Sequence, residues 1–143
     1  MGRVNLLSSG VRNFGSEDKF QGFCARFLRG RGLNFFHVPN GLYSNRVTVS
    51  RFKHMGMSPG VPDLLILDAC SGYSGLVIEL KCGRNKPTAK QLSWLTIFRS
   101  CGWAVCWVNG VYEFEVLLDL YLSGAYNNDE HTDNFYFGNH LQR

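Results

Sequence analysis

Apolar residues follow a helical period soon after the start of the chain. Phe20, Phe23, Cys24, Phe27 and Leu28 fall at i, i+3, i+4, i+7 and i+8. Ser16 is a suitable N-cap, Glu17 and Asp18 suit the positive end of a helix, and Gly30 or Gly32 supplies a stop. Leu33 to Val38 reads as a strand closed by the turn signal Pro39-Asn40-Gly41. Residues 42–60 have no long apolar run and read as a basic loop, with one short strand at Val47 to Val49 as the most it could hold. Leu64 to Leu67 and Leu76 to Lys81 are compact apolar runs, joined by a segment with two glycines and two serines. They predict a β-hairpin covered on both faces. Pro87-Thr88 opens a helix to about Ser100, Trp103 to Val108 predicts a strand, and Glu113 to Leu122 predicts a last helix. The resulting order, α-β-β-β-α-β-α, predicts an α/β fold with a mixed central sheet and helices on both faces. Residues 1–15 read as an irregular arm and 16–124 as one domain. Residues 125–143 read as a polar tail with Phe135, Tyr136 and Phe137 embedded in it.

Composition narrows the class. The 143 residues are 45% hydrophobic and 14% aromatic, enough for a core in one domain. No run approaches the roughly 18 apolar residues of a membrane helix, and the first ten residues do not form a signal peptide. An intracellular protein is the expectation. Five scattered cysteines with no CxxC pair argue against a zinc knuckle or a redox motif and read as reduced thiols. The charge is uneven: residues 1–110 carry +9 and residues 111–143 carry −5. The larger, basic part suits a polyanion, with a solvated basic face as the alternative.

Two acids stand where acids are costly. Asp63 begins an apolar strand and Glu79 lies within another. Alternation puts Glu79 and Lys81 on one face, and a hairpin register pairing residues of even sum adds Asp63 to it. Two carboxylates and an ammonium then converge. Mg²⁺ (or Mn²⁺) takes oxygen ligands of this kind, completed by water and phosphate oxygens. The Leu80 carbonyl is a candidate further ligand. Lys81 is a candidate to orient a water or to stabilise charge on a phosphate.

These residues resemble the VRR-NUC family of the PD-(D/E)xK nuclease superfamily. The resemblance covers most of residues 16–124. It is carried by Glu17 and Gln21, His37-Val38-Pro39-Asn40-Gly41, Gly60-Val61-Pro62-Asp63-Leu64, Ile78-Glu79-Leu80-Lys81, Pro87-Thr88 with Gln91, and Gly102-Trp103. It implies a metal site of Asp63, Glu79 and Glu17, a catalytic Lys81, and a supporting Gln91. It also implies a DNA endonuclease of the small stand-alone phage and bacterial type, dimeric and selective for branched DNA such as Holliday junctions. Roles in DNA repair or recombination would follow. Arg46, Arg51, Lys53, Asn40, His37, Arg84 and Lys86 are the candidate DNA contacts, a solvated loop or a packed histidine being the alternatives. The apolar face of the last helix or the aromatic tail is the candidate dimer interface. The competing functions are a non-catalytic DNA-binding module, a nuclease acting on flaps or linear ends, and an RNA-directed nuclease.

Overall fold

The computed structural model describes residues 16–39 and 46–131. Helix α1 (Glu17–Gly30) starts at Ser16, whose side chain accepts from the Lys19 N–H, and buries Phe20, Cys24 and Leu28. Strand β1 (Phe35–His37) is shorter than its apolar run. The expected basic loop with a strand at Val47–Val49 is instead helix α2 (Arg46–His54). Its valines and threonine favour strand locally, but among the described residues no strand pairs with them. Arg51 and Lys53 in its last turn suit the negative end of a helix.

Strands β2 (Leu64–Ile66) and β3 (Leu76–Lys81) form the predicted hairpin and are buried along their whole length. Gly75 precedes β3, where any side chain would run into the Ile66 carbonyl oxygen and the Trp103 ring. Helix α3 (Ala89–Ser100) follows, capped by Thr88. Strand β4 (Ala104–Asn109), helix α4 (Val111–Ser123) and the short helix α5 (Asn128–His131) complete the described chain. Among the described residues no helix is long and apolar enough to cross a membrane. All five cysteines are free thiols.

The sheet order is β1-β2-β3-β4, with antiparallel pairs except for the parallel β3–β4 pair. It is therefore mixed, as predicted, and its central strands have helices on both faces. One face packs Leu64, Ile66, Leu76, Ile78, Leu80, Cys106 and Val108 against α1 and α4. The other packs Leu65, Val77 and Val105 against Leu95 of α3, with Phe98, Trp103 and Trp107 around them. The apolar side of α4 (Phe114, Leu117, Leu118 and Tyr121) is fully buried in the first of these layers. It is the chain's own core rather than a surface free to form a dimer.

The two sheet edges differ. At the start of β4, the backbone groups facing away from β3 are taken by side chains. Val105 N–H donates to Asn128 Oδ1 at 2.9 Å, the Tyr126 hydroxyl donates to the Val105 carbonyl, and Asn128 Nδ2 donates to the Trp103 carbonyl at 2.9 Å. The start of the segment read as a tail thus docks on that edge. No comparable seal covers β1 among the described residues.

Candidate functional site

The hairpin register decides which side chains meet. Leu64 lies opposite Ile78 and Ile66 opposite Leu76, an even-sum pairing whose next step sets Asp63 across from Glu79. Alternation then puts Asp63, Glu79 and Lys81 on the face covered by α3. Asp63 Oδ2 accepts from the Leu80 N–H at 2.8 Å, which fixes the carboxylate over β3.

Glu79 is only 1% exposed and Lys81 6%. Lys81 Nζ lies 3.0 Å from Glu79 Oε1, and Gln91 Nε2 donates to the same oxygen at 2.6 Å. Glu79 Oε2 is buried and, among the described residues, has no hydrogen-bond partner. Burial, and then the charge of Asp63, pushes the Glu79 carboxyl up to about 8, against the pull of Lys81. Burial also raises Asp63, against the Leu80 N–H and Lys81. Two carboxyls that resist ionisation, one with an orphaned oxygen, form an electrostatic deficit that a divalent cation would relieve.

Helix α3 delivers Gln91 through its own cap. Thr88 Oγ1 accepts from the Gln91 N–H at 3.3 Å, and Gln91 Oε1 accepts from the Thr88 N–H at 2.8 Å. This reciprocal cap occupies the amide oxygen and leaves the amide nitrogen for Glu79. The turn that carries Asp63 docks on the same helix end. Trp94 Nε1 donates to the Pro59 carbonyl at 3.2 Å, and Gly60, at φ +82°, leaves space that a Cβ would close to 3.0 Å from Lys90 Cβ.

Glu17, on the first turn of α1, approaches from the side of Lys81. Its Oε1 is 3.9 Å from Lys81 Nζ and accepts from Asn85 Nδ2 at 3.4 Å. Among the described residues no three His, Cys, Asp or Glu side chains cluster closely enough to hold a metal ion unaided. Two carboxylates still fit a hard cation that completes its shell with water and phosphate oxygens.

The remaining candidates surround this centre. His37 Nδ1 lies 3.2 Å from the Asp63 carbonyl and beside the Gln21 side-chain amide. Arg46, Arg51 and Lys53 are exposed on α2, and Arg84 and Lys86 are exposed in the turn after Lys81. Asn40 lies outside the described residues. The sequence reading did not single out Asn109, which is paired with Lys81 across the parallel β3–β4 register and donates from Nδ2 to the Gly83 carbonyl at 2.8 Å. It also missed Asn85, which ties that turn to Glu17. An asparagine ending an apolar strand was the available signal for Asn109.

No protein-family model matches the chain, and no curated protein matches it. Among solved structures, one described as a VRR_NUC domain protein matches with a TM-score of 0.65 at 22% identity, covering 82% of this chain and 95% of that one. At that identity the likeness is one of fold, and this chain shares the fold of that VRR_NUC domain protein.

Proposed function

We propose that this protein is a divalent-metal-dependent nuclease that hydrolyses phosphodiester bonds in DNA. The observation that carries the proposal is the buried Glu79, with one oxygen unpartnered, set across the hairpin from Asp63 and 3.0 Å from Lys81. The likeness in fold to a VRR_NUC domain protein agrees with it.

Asp63 and Glu79 would hold Mg²⁺ or Mn²⁺, with the Leu80 carbonyl as a further donor and Glu17 at the rim. The bound ion supplies Lewis acidity toward the phosphate and a more acidic water. Gln91 and Lys81 together hold Glu79 Oε1, so that Oε2 is the oxygen left to bind. Lys81, between Glu79 and Glu17, places a positive charge where charge develops on the phosphate. Arg46, Arg51, Lys53, Arg84 and Lys86 attract the phosphate backbone without reading bases, while His37 and Asn40 complete the proposed contact set. Backbone contact without base reading suits an enzyme that selects DNA by shape. A C₂ dimer would set two such sites on opposite strands of a branched substrate.

The test is cleavage of labelled four-way junction, flap and linear duplex DNA in Mg²⁺, Mn²⁺ or EDTA, with Asp63→Ala alongside. Metal-dependent cutting of the junction, lost in Asp63→Ala, is the expected result. Cutting of flaps or ends alone would keep the nuclease and remove the junction preference. Binding without cutting in either metal would leave a DNA-binding module on a nuclease fold.

A further inference from the structure

A groove of about 860 Å³ runs between α1 and the outer side of β1. Arg26 and Arg29 line it from the helix, Asn34 and His37 from the strand side, and Gln21 and Asp18 stand at the end nearest Asp63. Gly22 and Ala25 form part of its wall and keep it open. Arg26 lies back over Gly22, its Nη1 3.6 Å from where a Cβ would stand. Arg29 lies over the Phe35 ring at 5.7 Å. Neither arginine forms an ion pair among the described residues, whereas the neighbouring Arg31 is engaged by Asp119 at 2.8 Å.

The strand side adds donors. Leu67 N–H donates to the Asn34 carbonyl and Val38 N–H to the Asp63 carbonyl, so residues 34 and 38 bond inward to β2. In an antiparallel pair the intervening Phe35 and His37 then turn their backbone groups outward, along the groove. The helix dipole accounts for a cation in the last turn of α1. It does not account for two guanidiniums one turn apart lining the groove onto which the Phe35 and His37 N–H groups open, alternating with their carbonyls.

We infer that this groove takes the phosphodiester backbone of one nucleic-acid strand as it leaves the acidic site, with Arg26 and Arg29 each neutralising a phosphate. This rests on the nuclease reading above. The groove meets that site through His37, whose ring touches the carbonyl of Asp63. From Gln21 to Arg29 the helix rises about 12 Å, at about 1.5 Å per residue. That spans three to four nucleotides at about 3.4 Å each. The strand belongs either to an unpaired arm or to one side of a duplex arm.

The test compares wild type with Arg26→Ala/Arg29→Ala, two exposed changes. Binding to a labelled single strand, a flap and a linear duplex is measured in EDTA across a salt series, and cleavage in Mg²⁺. Removing two phosphate contacts should lower the slope of log K against log salt by about 1.5. KM should rise about tenfold with kcat unchanged, and a substrate that ends one nucleotide beyond the scissile phosphate on the groove side should be cut equally by both proteins. A slope change confined to single strand and flap assigns the groove to an unpaired arm. A change on linear duplex as well assigns it to a duplex arm. An unchanged slope in a protein that still cuts DNA overturns the groove and leaves the nuclease standing. A changed slope in a wild type that cuts nothing keeps the groove and removes the nuclease. A wild type that neither binds nor cuts removes both.

Discussion

Gln91 ties the start of α3 to Glu79: its amide nitrogen donates to the carboxylate at 2.6 Å while its amide oxygen caps its own helix. The two functions can be separated by substitution. Thr88→Ala removes the cap alone and should cost about 1 kcal/mol of stability with little change in cleavage. Gln91→Ala should cost a similar amount and also weaken Mg²⁺ binding or cleavage by about 10–100-fold, as the loss of a residue that orients a metal ligand does. Denaturant melts and Mg²⁺ titrations of both variants check this. Equal effects of the two on cleavage would reduce Gln91 to a cap.

The site should make the metal-free protein sensitive to alkali. Glu79 is raised from 4.5 to about 8 by burial and by Asp63, and Asp63 is raised as well. An acid whose folded value lies above its unfolded value holds its proton more tightly when native, so stability falls as pH climbs between the two. In EDTA, Tm should drop from about pH 5 to about pH 8, and Glu79→Gln should flatten that drop. Mg²⁺ should raise Tm more at about pH 8 than at about pH 6, because cation and proton compete. A Tm that rises over this range would contradict the arrangement.

Lys81 and Glu79 should prove strongly coupled. Lys81→Met leaves a buried carboxylate without its cation, a loss on the order of 3–5 kcal/mol where the acid stays charged. The double variant Glu79→Gln/Lys81→Met removes both charges and should recover much of that stability while remaining inactive. A double-mutant cycle by urea unfolding measures the coupling. Additive losses would mean that the 3.0 Å pair contributes nothing specific.

Gly75→Ala tests how tightly the hairpin is built. A methyl there overlaps the Ile66 carbonyl and the Trp103 ring. The backbone must shift, at a cost of about 1–3 kcal/mol. Gly30→Ala, where a Cβ meets nothing within 4 Å, is the control and should not be destabilising. Chemical denaturation of both variants reads the difference.

Much of this site was legible before the fold. The helical spacing of Phe20, Cys24 and Leu28 marked the buried face of α1, and Thr88 marked the start of α3. Asp63 and Glu79 stood out because charge is costly inside apolar strands. Their pairing followed from a register of even sum, which the hairpin adopts. Helix α2 escaped because Val47, Thr48 and Val49 favour strand and no residue of the helix is buried, so no apolar stripe betrays it. Asn109 and Asn85 escaped because a neutral amide leaves no trace in charge, the polar end of an apolar strand being the one mark of Asn109, and their partners are far along the chain.

The unequal sheet edges limit how copies of this chain can associate. Among the described residues, Tyr126 and Asn128 fill the start of the β4 edge, which leaves β1 as the more open place for a new strand. Two copies meeting through β1 would use up the open side of each. Such growth ends at a pair, whereas a sheet open on both sides could continue into a fibre. In such an assembly Asn128 and Tyr126 would act as a chain terminator written into the protein's own sequence.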